Sequence, residues 1–76
     1  MITAYILIVV KSGSEEKVAK RLSADQRVKD VNIVYGEYDI ISKVTTENME
    51  DLQKFIIKNI RSIKEVQRTS TMISLK

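Results

Sequence analysis

The sequence predicts an α+β fold in which two amphipathic helices are interspersed among four strands. Three observations support this prediction: an apolar run near the start of the chain, two segments with apolar residues at helical spacing, and strand-like alternation in the remaining segments. A length of 76 residues corresponds to one small domain, which we place at residues 1–76.

The first half of the sequence predicts a strand, a helix and a second strand. Residues Ile2 to Val10 are almost all apolar, which is typical of a strand that is covered on both faces. Ser12 or Ser14 can cap a helix whose first turn is acidic and which ends near 24–25. Alternating apolar residues over 31–35 then predict the second strand.

The second half predicts a hairpin, the longest helix and a last strand. Gly36 can form the tight turn that leads into a third strand over Tyr38 to Thr45. Asn48 is a favourable N-cap, and apolar residues recur every three or four positions from there to Ile63. The last strand is expected from Glu65 to Leu75.

This order of elements predicts a ferredoxin-like βαββαβ fold. With right-handed crossovers, it forms a four-stranded antiparallel sheet that has both helices on one face. The opposite, helix-free face is expected to carry a mostly apolar set of residues: Tyr5, Leu7, Val9, Ile33, Ile41, Thr71 and Ile73. A face of this composition is expected to pack against the same face of a second copy, which gives a dimeric α+β barrel.

The composition argues against several classes of function. The absence of Cys and His removes disulfides, zinc centres, and thiol or imidazole catalysis, so no metal, cofactor or catalytic residue is predicted. The formal net charge of +3 comes from interleaved basic and acidic residues, whereas nucleic-acid binders concentrate basic residues on one face. The apolar run at 2–10 is shorter than the roughly 20 residues that span a membrane and lacks signal-peptide features, so a cytoplasmic location is expected.

One group of residues has the chemistry to bind a free amino acid. Asp39 can accept hydrogen bonds from an ammonium group, and a ligand carboxylate can closely approach backbone N–H groups around Gly36. Thr69 and Thr71 would present hydroxyl groups on one face of the last strand. The spacing alone leaves open whether the hairpin and the last strand meet.

These segments resemble a known family over essentially the whole chain. The resemblance is to the effector-binding (RAM) domain of the Lrp/AsnC transcription regulators, and the G-x-x-D element from Gly36 to Asp39 is its most specific part. The segments that carry it are Tyr35-Gly36-Glu37-Tyr38-Asp39-Ile40-Ile41, Lys43-Val44, the helix from Phe55 to Ile63, and Arg68-Thr69-Ser70-Thr71-Met72-Ile73.

The resemblance implies an amino-acid effector that is bound between dimers, and face-to-face dimers that assemble into an octamer or decamer. Because the first strand begins near Met1, the sequence looks like a RAM protein without its own DNA-binding domain, and full-length Lrp/AsnC regulators are its expected partners. Glu37 and Tyr35 are weaker candidates for ligand contacts. By position, the ligand contacts fall on Gly36, Tyr38, Asp39, Thr69, Ser70 and Thr71.

Two other interpretations compete with a sensor. A small enzyme of the dimeric α+β-barrel type would need a roomy polar pocket between its sheet and its helices. A purely structural assembly protein would have the same fold and an empty site.

Overall fold

The computed structural model describes residues 1–75 and confirms the predicted order of elements. Helix α1 spans Glu15–Ser23, and helix α2 (Met49–Phe55) continues into a π-helical turn at Ile56–Ile60. The strands pair antiparallel in the order β2-β3-β1-β4, which confirms the ferredoxin-like fold. Their bounds are β1 (Ile2–Val10), β2 (Val28–Ile33), β3 (Ile40–Thr46) and β4 (Val66–Ile73).

The hydrophobic core lies between the sheet and the helices. Alternate residues of β1 point toward the helices, and Ile6 and Ile8 are completely buried there. From α2, Leu52 and Phe55 pack against this layer and are each 1% exposed. The other buried apolar residues are Ala4, Val10, Val18, Leu22, Ile40, Val44, Ile60 and Ile63. These side chains fill the space in which the enzyme interpretation would place its pocket.

The starts of the two helices differ in how they are capped. The side chain of Asn48 accepts a hydrogen bond from the Asp51 N–H at 2.9 Å, which confirms the predicted N-cap of α2. Ser14 occupies the N-cap position of α1, but its hydroxyl donates to the Lys11 carbonyl and does not cap the helix. No helix within residues 1–75 is long and apolar enough to cross a membrane.

The bounds of the two hairpin strands differ from the predicted ones. Strand β2 begins at Val28 and ends at Ile33, so it lies earlier in the chain than the predicted strand over 31–35. A register shift between Val28 and Asp30 interrupts the regular alternation of β2. The turn between the strands is therefore longer than predicted, and β3 begins only at Ile40.

The register of the sheet corrects the predicted composition of the helix-free face. Ile33, Thr71 and Ile73 lie on the helix side, because each is paired with a residue whose side chain is buried in the core. Directly opposite residues of neighbouring strands point to the same side of a sheet. The prediction was wrong for these three residues because local alternation does not determine which residues are paired across strands.

The helix-free face has an apolar centre and a polar rim. In a single copy, Tyr5 is 39% exposed and Met72 is 54% exposed. The apolar residues of the face are Tyr5, Leu7, Val9, Ile41 and Met72. Polar residues border them on all four strands, namely Thr3, Asp30, Asn32, Lys43, Thr45, Arg68 and Ser70. An apolar centre with a polar rim is the arrangement found in protein–protein interfaces.

A polar cluster joins the α1–β2 connection to α2. Arg27 donates two hydrogen bonds to the Asp25 carboxylate, from Nε at 3.0 Å and from Nη2 at 2.8 Å. The Arg27 guanidinium also lies 4.7 Å from the centroid of the Phe55 ring, and Asn59 donates to Asp25 at 3.3 Å. The hydrogen bonds from Arg27 hold the pKa of Asp25 below its usual value.

Asp25→Asn should destabilise the protein by about 1 kcal/mol near neutral pH, because it weakens the pairing with Arg27. The folded-state pKa of Asp25 lies below its unfolded value of about 3.9. The stabilisation is therefore present above the unfolded pKa and is lost as the pH falls through the folded pKa. Thermal unfolding of the two proteins should differ near pH 7, and the difference should shrink toward about pH 2. A difference of constant size over this range would contradict the electrostatic origin.

Candidate functional site

Asp39 fixes the β2–β3 hairpin to the end of β1. Its N–H donates to the Ile8 carbonyl at 2.9 Å, and its Oδ2 accepts the Val10 N–H at 2.9 Å. The Val34 N–H donates to the Asp39 carbonyl at 2.8 Å, which closes the turn. Asp39 therefore has a structural role of its own, since an unpaired N–H at the buried Val10 would cost about 1–3 kcal/mol.

Gly36 lies in the turn of this hairpin with a φ of 156°. L-residues with side chains rarely adopt this conformation, so the turn requires glycine. A Cβ added at Gly36 would have no atom within 4 Å, which shows that backbone conformation and not space imposes the requirement. The neighbouring Tyr35 and Glu37 are exposed, so the turn projects into solvent.

A depression beside the hairpin, the acidic depression, has three acidic residues in its lining. It has a volume of about 640 Å³ and lies between the turn and the first turn of α1. It is lined by Glu15, Glu16, Ile33, Val34, Tyr35, Gly36 and Asp39. Within residues 1–75, its three carboxylates form no ion pair, and they are not grouped closely enough to hold a metal ion. The depression therefore offers negative charge and hydrogen-bond acceptors to a small cationic group.

The hairpin and the last strand meet through Tyr38. The guanidinium of Arg68 lies 5.3 Å from the centroid of the Tyr38 ring, which is cation–π geometry. Arg68 is paired with Val9, and the predicted site residue Ser70 is paired with Leu7. Arg68 and Ser70 are therefore on the helix-free side of β4, and the hairpin contacts this side.

Thr69 and Thr71 lie on the other side of β4. They are paired with the core residues Ile8 and Ile6, so they share one face of the strand as predicted. Thr69 is half-buried and Thr71 is exposed, because β4 is an edge strand of the sheet. A single copy thus distributes the predicted residues over both sides of the sheet and does not gather them in one pocket.

A second depression, the basic depression, lies at the start of β4. It has a volume of about 420 Å³ and is lined by Arg61, Val66, Gln67, Arg68 and Thr69. Its lining includes two arginines and no acidic residue. Within the described part of the chain, neither guanidinium forms an ion pair. Its charge is opposite to that of the acidic depression.

The family model of the Lrp/AsnC ligand-binding domain matches residues 3–76. The chain belongs to the Lrp/AsnC family. This confirms the resemblance carried by the G-x-x-D hairpin and by the segment from Arg68 to Ile73. The matched range contains both depressions and the whole helix-free face.

Relatives of this Lrp/AsnC domain occur in proteins of different kinds. The HTH-type transcriptional regulator FL11 of Pyrococcus furiosus is 40% identical over 75 residues, which cover 99% of this chain and 49% of FL11. The crystal structure of FFRP-DM1 has 48% identity and a TM-score of 0.96, and the match covers 99% of this chain and 100% of that one. A homocitrate synthase of Sulfurisphaera tokodaii is 42% identical over 73 residues, which cover 92% of this chain and 16% of the synthase. The chain spans about half the length of the regulators it matches.

Four residues that line the two depressions of this Lrp/AsnC domain are not evident from the sequence. In the sequence, Glu15 and Glu16 are explained by a favourable interaction with the helix dipole. Only the folded β1–α1 connection brings them beside the hairpin. Arg61 follows the π-helical turn, and nothing in its spacing points to β4. Arg68 begins one of the segments that carry the resemblance and alternates with Ser70, but its spacing does not indicate a depression shared with Arg61.

Proposed function

We propose that this Lrp/AsnC domain is a non-enzymatic regulatory module that binds a small amino-acid effector. The acidic depression carries the proposal, because three carboxylates without an internal cation lie beside a glycine-dependent turn. An ammonium group brings a positive charge and three N–H donors, which match this lining. The volume of about 640 Å³ also lies within the usual range for small-molecule sites.

The proteins that contain similar segments support a regulatory role. FL11 of Pyrococcus furiosus is named as an HTH-type transcriptional regulator, and the relative from Sulfurisphaera tokodaii is named as a homocitrate synthase. The segment that resembles this chain makes up only about half of FL11 and about a sixth of the homocitrate synthase. A segment that is common to a regulator and an enzyme is expected to supply a property that both can use, such as the binding of an effector.

The proposal includes a two-fold dimer formed through the helix-free face. A domain of 76 residues buries only about 60% of its unfolded surface and gains stability from association. Tyr5 and Met72 on this face are exposed in a single copy, and a second copy that packs against the face would bury them. Dimers would assemble further into an octamer or decamer and would also mix with full-length Lrp/AsnC regulators. An effector that binds between dimers would stabilise the assembled state by mass action.

Calorimetric titration with each of the standard amino acids tests the sensor role. The protein should bind at least one of them, and Asp39→Asn should weaken that binding about tenfold or more, because it removes a charge-assisted hydrogen bond. Asparagine retains an oxygen that can accept the Val10 N–H, so the hairpin should stay folded. Glu47→Gln removes an exposed carboxylate that does not line the acidic depression, and it should bind as the parent does.

Two outcomes of this titration would count against the sensor. A folded protein that binds none of the amino acids would contradict effector binding. The assembled mass and the thermal stability could also be the same with and without amino acids, in the parent and in Asp39→Asn alike. That result would favour a purely structural assembly protein.

A further inference from the structure

We propose that association through the helix-free face orders the β2–β3 hairpin, and that the contact between Tyr38 and Arg68 transmits this effect. The hairpin carries Gly36 and Asp39, which belong to the lining of the acidic depression. This ordering rests on the dimer of the proposed function and adds a way in which assembly regulates the effector site.

The hairpin is held to the sheet by few hydrogen bonds. The Val34 N–H donates to the Asp39 carbonyl at 2.8 Å, and the Asp39 N–H donates to the Ile8 carbonyl at 2.9 Å. The Asp39 carboxylate accepts the Val10 N–H at 2.9 Å. Residues 35–37 at the tip are exposed, and their N–H groups donate no hydrogen bond within residues 1–75. A segment of this kind opens locally with a small free energy.

One further contact links the hairpin to the last strand. The Tyr38 ring centroid lies 5.3 Å from the Arg68 guanidinium, and the ring is half-buried whereas Arg68 is exposed in a single copy. Because β1 lies between β3 and β4 in the sheet, this contact extends across the end of β1. A cation–π contact is weak when water surrounds it and becomes markedly stronger when water is removed. In a single copy, the Tyr38–Arg68 contact is therefore weak.

Arg68 lies at the rim of the surface that a second copy would cover. It is paired with Val9 of β1, and directly opposite residues have Cβ atoms about 5 Å apart. Val9 and Leu7 belong to the apolar part of the helix-free face. A copy that packs on these two residues displaces water beside the neighbouring guanidinium. The Tyr38–Arg68 contact then becomes stronger, and the hairpin opens less often.

Tyr38 is adjacent in the chain to Asp39, so a fixed Tyr38 also restricts the Asp39 backbone. Asp39 lines the acidic depression, where the proposed effector binds. Binding to a hairpin that is already ordered has a smaller entropic cost than binding to one that must first be ordered. By linkage, an effector that binds the associated protein more tightly stabilises association by the same factor. Tyr38 is thus a positioning residue for the effector site.

Hydrogen–deuterium exchange of the whole protein tests this ordering. Mass spectrometry follows the exchange below and above the protein concentration at which sedimentation shows association. Exchange in segment 34–40, which contains the Val34 and Asp39 N–H groups, should slow about fivefold on association. The first turn of α2 is the control, because the Asp51 N–H there bonds to Asn48 on the other side of the sheet. Its exchange rate should not change.

Substitutions at Tyr38 and Arg68 separate ordering from association. Tyr38→Leu and Arg68→Gln should still associate but should lose most of the fivefold slowing, because the cation–π contact is removed. Tyr38→Phe keeps an aromatic ring and should retain the slowing. Arg21→Gln changes an exposed arginine of α1 and is the matched control for Arg68→Gln, with the behaviour of the parent expected.

Three results would overturn the proposed ordering. Segment 34–40 could exchange at the same rate in the associated and the dissociated protein. Tyr38→Leu could slow on association as much as Tyr38→Phe does, which would show that the ring is not involved. Equal slowing in segment 34–40 and in the first turn of α2 would mean that association stabilises the whole fold and does not act on the hairpin.

Calorimetry with amino acids separates this ordering from the proposed effector role. If an amino acid binds but association leaves the exchange of segment 34–40 unchanged, the ordering is wrong and the effector role stands. If association slows this exchange through Tyr38 but no amino acid binds, the effector role is wrong and the ordering stands. A protein that stays monomeric at every concentration would overturn the dimer and the ordering together, whatever the calorimetry shows.

Discussion

In the proposed dimer, Ile41→Glu should disrupt the interface and leave a monomer of 8.7 kDa. Ile41 lies on the helix-free face, paired with Leu7 of β1 on one side and with Asn32 of β2 on the other. A charge that is buried without a partner costs about 3–5 kcal/mol, and a two-fold interface buries the substitution twice. The dissociation constant of the dimer should therefore rise about a thousandfold or more.

Sedimentation equilibrium at micromolar concentration measures this effect directly. Ile57→Glu is the matched control, because Ile57 is 60% exposed and lies in the π-helical turn rather than on the sheet. The same change in charge and hydrophobicity there should leave the assembled mass unaltered. Circular dichroism should show that both variants keep their secondary structure. An assembled mass that Ile41→Glu leaves unchanged would mean that copies associate through another surface.

The order of the elements could be predicted because each element carries its own local signal. The apolar run of β1, the Asn48 cap and the turn at Gly36 all depend on residues that are close in sequence. The register between strands depends on pairing over long distances, and one irregularity in β2 shifts its alternation. For this reason Ile33, Thr71 and Ile73 were assigned to the wrong face, although their strands were predicted.

The π-helical turn is a second feature that the spacing of apolar residues does not predict. The spacing of apolar residues predicts one continuous helix to Ile63, and Ile60 and Ile63 are indeed buried. A spacing of three or four residues tolerates the additional residue that a π-helical turn inserts, so the pattern does not reveal it. Asn59, within this turn, contacts Asp25, and Arg61 follows it at the basic depression.

The candidate site was predictable only in part, because its members lie on different elements. The hairpin residues Gly36 and Asp39 are marked by a short motif, and their chemistry points to a ligand. Arg61 comes beside β4, and Glu16 beside the hairpin, only in the tertiary structure. Acidic and basic residues are therefore interleaved along the sequence, whereas the fold places some of them in two depressions of opposite charge.

Phe55→Ala should cause the largest loss of stability in the core. Phe55 is among the largest fully buried side chains and is 1% exposed. Truncation of a buried phenylalanine to alanine typically costs about 3–5 kcal/mol. The substitution also removes the ring that lies 4.7 Å from the Arg27 guanidinium and so weakens the support of the Asp25–Arg27 pair. Phe55→Leu keeps most of the volume and should cost less than half as much.

The observed size of this loss should depend on assembly, because the unfolding of an oligomer is linked to protein concentration. Domains have net stabilities of about 5–15 kcal/mol, and a small domain lies at the lower end. Phe55→Ala should therefore leave a barely folded single copy whose melting temperature, followed by circular dichroism, rises with protein concentration. Phe55→Ala combined with Ile41→Glu should stay unfolded at every concentration, since neither the core nor the helix-free face then stabilises the fold. A melting temperature of Phe55→Ala that does not change with concentration would show that this sheet needs no second copy to remain folded.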